Sequence, residues 1–75
     1  VMEEFPVRLP IKLGQLLKLA SLAENGADAR SLITEGYVYV NGELELRRTH
    51  QLSDGDEVRV DDGYGNSVSL KVVSE

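Results

Sequence analysis

Hydrophobic positions in the first half of the chain recur at helical spacing. With Leu13 at zero and about 100° per residue, Leu16, Leu17 and Ala20 fall on one stripe, while Lys12, Gln15 and Lys18 fall on the opposite side. This predicts a first helix with an apolar face and a polar, basic back, on which Leu19 is either exposed or covered by a second element. Pro10 suits a position just ahead of that helix, where its missing N–H matters least. Asn25-Gly26 interrupts the pattern, and Asn25 followed three residues on by Asp28 predicts an N-cap with an acid in the first turn of a second helix. Ala29, Leu32 and Ile33 supply its apolar stripe, with Gly36 as the left-handed residue that ends it.

From Tyr37 the period becomes two. Val38 and Val40 alternate with Tyr37 and Tyr39, and Leu44 and Leu46 alternate with Glu43, Glu45 and Arg47, with Asn41-Gly42 between them. This predicts a hairpin. A two-residue loop opposes Val40 to Glu43 and Tyr39 to Leu44, whereas a three-residue bulged loop aligns Val38 with Leu44 and keeps apolar residues together, so the bulged loop is expected. Leu52 and the turn Ser53-Asp54-Gly55-Asp56 lead to a strand at Glu57-Val58-Arg59-Val60; a flexible stretch over residues 61–66 precedes a last strand with Val68, Leu70 and Val72. Phe5, Val7 and Leu9 alternate as a further edge strand. The expected class is α+β, two helices packed on a small antiparallel sheet.

At 75 residues the chain has room for one domain, expected over 1–75, and for a stability of only a few kcal/mol. It has no cysteine, which excludes disulfides, thiolate nucleophiles and sulfur-ligated zinc. No apolar run is long enough to span a bilayer and the first four residues are too acidic for a secretory signal, so a cytoplasmic location is expected. His50, the single histidine, has no second His or Cys to make a metal site, and the aspartates at 54, 56, 61 and 62 do not follow a calcium-loop order; turn chemistry accounts for them. No nucleophile–base pattern or phosphate-cradling loop is present, so the expectation is a non-catalytic protein without cofactors.

The net charge of −5 opposes a nucleic-acid partner, but it is unevenly distributed. Residues 8–50 hold six Lys or Arg against five carboxylates, whereas residues 51–75 hold two against six. Ala29-Arg30-Ser31-Leu32-Ile33-Thr34-Glu35-Gly36-Tyr37-Val38-Tyr39-Val40-Asn41-Gly42, followed by Leu52-Ser53-Asp54-Gly55-Asp56, resembles the RNA-binding domain named for small-subunit ribosomal protein S-four, also called the alpha-L motif. The resemblance covers residues 11–60, and the Lys12–Ala20 segment looks like the short, free-standing bacterial members. It implies a translation-associated, RNA-binding module that reads structured RNA, ribosomal or transfer RNA by analogy, through the helix pair and the adjoining hairpin. Lys12 stands at the basic position opening helix one and Arg30 at the basic position of helix two, and Arg47 and Arg48 follow the hairpin where the family is often basic. Lys18, Tyr39, Asn41 and His50 complete the candidate contacts. Two departures stand out: Gly14 replaces an acid, and Asn25-Gly26 replaces a Ser-Arg pair.

Each candidate also has a plainer role. Arg47 and Arg48, on opposite faces of a strand, would serve as charges that discourage edge association, and the tyrosines as cross-strand packing. The alternative function is a protein–protein interaction module that works through the acidic C-terminal half.

Overall fold

The computed structural model describes residues 3–75. Residues 1 and 2, part of the stretch read above as too acidic for a secretory signal, lie outside the described residues. In chain order the elements are β1 (Glu3–Val7), β2 (Ile11–Lys12), α1 (Leu13–Leu19), α2 (Gly26–Thr34), β3 (Val38–Val40), β4 (Glu43–Leu44), β5 (Gln51–Leu52), β6 (Glu57–Asp61) and β7 (Ser67–Ser74). Five strands form one sheet in the order β1-β7-β6-β3-β4, and β2 and β5 form a separate two-stranded pair.

The helices form where the apolar spacing predicts. Leu13, Leu16 and Leu17 of α1 and Ala29 and Ile33 of α2 are buried in one cluster with Val38, Val40, Val58, Val60, Leu70 and Val72 from the inner face of the sheet. Both helices end in the same way. Ser21 (φ 61°) and Gly36 (φ 86°) take the left-handed conformation, and the N–H groups of Leu22 and Tyr37 donate to the carbonyls of Leu17 and Leu32, which closes each last turn. Asn25 caps α2 as expected: its side chain accepts from the Asp28 N–H at 2.9 Å, and Asp28 in return accepts from the Glu24 N–H at 3.0 Å. Leu19 is exposed, with no element over it.

Four expectations are corrected. First, the sheet is mixed rather than antiparallel, because β1 runs parallel to β7, pairing Phe5 with Val72 and Val7 with Ser74. Alternation of Phe5 and Val7 reports which face is buried but not strand direction.

Second, the β3–β4 hairpin uses the two-residue loop: Val40 pairs with Glu43 and Tyr39 with Leu44. Asn41 (φ 53°) and Gly42 (φ 82°) are both left-handed, the type I′ geometry whose twist matches the flanking strands. The face-matching argument fails because β4 is a two-residue edge strand with both side chains exposed, so no buried face constrains its register. Leu46 lies beyond it and is exposed.

Third, Arg47 and Arg48 are not on a strand; they belong to a loop that folds back onto α1, where the Leu13 N–H donates to the His50 carbonyl at 2.8 Å and the Gly14 N–H to the Arg48 carbonyl at 3.0 Å. These bonds satisfy two helix-start donors. A Cβ on Gly14 would sit 3.4 Å from the Arg48 carbonyl oxygen, an ordinary van der Waals contact, so the backbone approach leaves room for a side chain there. Fourth, the short β2–β5 pair, Ile11 with Leu52 and Lys12 with Gln51, intervenes between Pro10 and α1.

The acidic turns are built as turn chemistry requires. Asp56 accepts from the Ser53 N–H and Asp62 from the N–H groups of Tyr64 and Asn66, whereas Asp54 departs from that expectation and accepts from the Ser74 N–H at the end of β7.

Candidate functional site

The polar back of α1, the start of α2 and the 48–49 loop meet in an open groove of about 240 Å³ lined by Lys12, Gln15, Lys18, Arg30, Arg48 and Thr49, with Gly14, Gly26 and Ala29 at its floor. Helical repetition explains why α1 contributes as it does. Lys12, Gln15 and Lys18 are spaced three residues apart and follow one side of the helix, while Leu13, Leu16 and Leu17 anchor the other side in the core. Arg30 projects from α2 next to buried Ala29. Arg48 arrives from the loop, held in place by its own carbonyl on the Gly14 N–H.

The groove is therefore a cradle of four cations from three segments distant in sequence. None of Lys12, Lys18, Arg30 and Arg48 makes an ion pair among the described residues, and no carboxylate lines the groove. At about 0.1 M salt the screening length is about 10 Å, while the molecule spans 31 × 26 × 21 Å. Carboxylates farther from the groove than that length are largely screened from a polyanion lying in it. Chemically, such a groove suits several phosphates of one chain, with Gln15 and Thr49 as neutral hydrogen-bonding groups beside them.

The other four candidates lie elsewhere. Arg47 turns away to Glu45: its Nε donates to Glu45 Oε2 at 3.1 Å, its Nη2 to Oε1 at 3.3 Å, and its backbone N–H to Oε2 at 3.0 Å. These bonds from Arg47 hold the Glu45 carboxyl below its usual range, and the carboxylate in turn raises Arg47. His50 Nδ1 sits 3.1 Å from Glu45 Oε1, so the same carboxylate faces both groups. Tyr39 occupies the sheet face turned away from the helices, with the Arg59 guanidinium 4.2 Å above its ring centroid; Arg59 also pairs with Asp61.

Asn41 has a structural task. Its side-chain oxygen accepts from the Glu57 N–H at 2.9 Å, its amide donates to Asp56 at 3.1 Å, and its backbone N–H donates to the Glu57 carbonyl at 2.7 Å, which ties the hairpin turn to the Asp54–Asp56 turn. The two halves of the recognised sequence pattern, Asn41-Gly42 and Gly55-Asp56, are thus joined by hydrogen bonds.

Gln15 and Thr49 were not singled out from the sequence. The helical wheel already sets Gln15 between Lys12 and Lys18, whereas nothing local marks Thr49. Among the described residues no cluster of His, Cys, Asp or Glu is arranged to hold a metal ion, and no helix is long and apolar enough to cross a membrane.

Comparison with known proteins agrees with this architecture. The probable ribosome maturation protein RlbA of Bacillus subtilis (strain 168) is 41% identical over 56 residues, which cover 75% of this chain and 78% of that protein. The solution structure of YbcJ from E. coli, described as revealing an αL motif involved in RNA-binding, matches with a TM-score of 0.64 and 35% identity, covering 97% of this chain and 89% of that one. The α+β arrangement of two helices on a small sheet is shared with that αL protein. A family model described as the S4 domain matches residues 8–68, most of the chain and all of the groove, and the chain belongs to the S4 domain family.

Proposed function

We propose that this protein is a non-catalytic RNA-binding domain that grips the backbone of structured ribosomal RNA in the groove formed by Lys12, Lys18, Arg30 and Arg48. The observation that carries the reading is the convergence of four unpaired cations, from α1, α2 and the 48–49 loop, on one concave surface. Cations carried on two packed helices and a loop hydrogen-bonded to α1 favour a preformed backbone path over an arbitrary flexible strand, which supports recognition by shape. The choice of ribosomal RNA leans on the relative named for ribosome maturation, and the choice of RNA over other polyanions on the αL neighbour described as involved in RNA-binding.

Few contacts and no stacking platform in the groove imply weak binding to arbitrary RNA, with affinity gained only where the target's shape engages both helices together. Crosslinking in cells followed by sequencing of the retained RNA tests this. Wild-type protein is expected to enrich ribosomal RNA, and the Arg30→Glu/Arg48→Glu variant to lose that enrichment while melting at an unchanged temperature. Equal RNA recovery from the two folded proteins would overturn the assignment.

A further inference from the structure

A second concave surface lies apart from the cationic groove. Leu22 after α1, Leu32 on α2, Val60 of β6 and Val68 of β7 form an apolar cleft of about 230 Å³, bordered by Asp61 and Asp62. Val60 and Val68 are cross-strand partners facing the helices, but the helical layer stops short of Val68, which is 53% exposed. Leu22 and Leu32 are only partly buried. Arg30 and Leu32 lie about 160° apart around α2 at 3.6 residues per turn, so groove and cleft occupy different flanks of the same helix.

The chemistry of the border narrows the occupant. Asp62 accepts two backbone N–H groups through Oδ1 alone and has no cation partner among the described residues. Asp61 shares Arg59. No Lys, Arg or aromatic residue lines the cleft, so it repels phosphate and offers no base-stacking surface. An aliphatic side chain fits the apolar walls, and cations on either side of it complement the aspartates.

We infer that the cleft binds a basic protein segment, with an aliphatic side chain seated between Leu22, Leu32 and Val68 and a neighbouring Lys or Arg paired with Asp62. The expectation of a basic partner rests on the RNA reading above, since proteins that share an RNA surface need Lys and Arg to neutralise the same phosphates. The domain then joins RNA on one flank of α2 to protein on the other.

The test is fluorescence anisotropy of a labelled dodecapeptide with two central leucines flanked by lysines, titrated at low salt with the full chain and no RNA. Saturable one-to-one binding is expected. Replacing both leucines by serine should weaken it at least about tenfold, since the one leucine seated in the cleft contributes roughly that factor or more. Val68→Lys should weaken it as much by filling the cleft and repelling the peptide. Asp62→Asn, which keeps an oxygen acceptor for Tyr64 and Asn66, should weaken it about threefold, the scale of one exposed ion pair.

Arg30→Glu should leave peptide binding intact. Equal binding of the leucine and serine peptides would overturn the inference by reducing the effect to diffuse charge. Full binding by Val68→Lys would overturn it too, as would a wild-type dimer that this change dissolves, which would assign the cleft to a second copy. Because the peptide is read without RNA, failure here leaves the RNA assignment standing, and failure of the RNA assignment leaves this reading measurable.

Discussion

Arg47 and Arg48 are adjacent and chemically identical yet lie in different surroundings, and exchanging each in turn for Gln tests whether only Arg48 meets RNA. Arg48 is one of four unpaired cations in the groove, whereas Arg47 already donates three hydrogen bonds to Glu45. Each phosphate neutralised on a duplex stem contributes about −0.9 to the slope of log K against log salt, so four contacts give about −3.6 and three give about −2.7. Between about 50 and 200 mM salt, wild-type affinity should then fall about 150-fold and that of Arg48→Gln about 40-fold, from a weaker starting value. Arg47→Gln should follow the wild-type line. The change at Arg48 leaves its backbone carbonyl on the Gly14 N–H, so the fold is not at issue. Anisotropy of a labelled ribosomal RNA hairpin at several salt concentrations measures the slopes. An Arg47→Gln slope as shallow as that of Arg48→Gln, or no change at Arg48, would refute the groove geometry.

Gly42→Val forces a β-branched residue to φ 82° and should cost about 1–2 kcal/mol, read as a fall in Tm of roughly 5–15 °C; an unchanged Tm would refute the type I′ turn. Asn41→Ala removes two side-chain hydrogen bonds between turns and should cost about 1–3 kcal/mol while leaving the salt slope of RNA binding unchanged. A changed slope at unchanged Tm would make Asn41 a contact instead. Gly14→Glu adds a carboxylate to the groove and should weaken RNA binding far more than Gly14→Gln, a difference read by anisotropy in the same titration. Glu45 has a carboxyl lowered from 4.5, so its contribution to stability is in place above pH 4.5 and is lost as pH falls through the lower folded value. Thermal melts from pH 6 to pH 3 should accordingly fall less steeply for Glu45→Gln than for wild type, and parallel curves would contradict the Glu45–Arg47 link.

The parts of this fold written in side-chain periodicity were legible. Leu13, Leu16 and Leu17 gave α1, Asn25 and Gly36 gave the ends of α2, and Val58, Val60, Leu70 and Val72 gave the inner faces of β6 and β7. What depended on backbone partnership was not. The parallel pairing of β1 leaves no trace in alternation, and the hairpin register was misjudged because face matching assumed that β4 covers core. The 47–50 loop meets α1 through the carbonyls of Arg48 and His50, groups that every residue possesses, so no side chain announced the contact.

The same division runs through the candidate site. Helical spacing puts Lys12 and Lys18 on the polar back of α1, family position singles out Lys12 and Arg30, and all three line the groove with Arg48. Arg47 and His50 fall outside it because Glu45, an ordinary strand-pattern residue in the sequence, lies within reach of both. Tyr39 lies outside the groove, on the far side of the sheet, where Arg59 covers its ring.

The central claim is that RNA lies in the groove between α1, α2 and the 48–49 loop. Its most direct test is the pattern of backbone amide shifts in uniformly labelled protein as an unlabelled ribosomal RNA hairpin is added at low salt. Gly14, Gln15, Lys18, Gly26, Arg30, Arg48 and Thr49 are expected to shift together and saturate at one equivalent, while Tyr39, Arg59 and residues 61–68 stay fixed. Shifts centred on Tyr39 and Arg59, or no saturable shift in the groove, would contradict the claim.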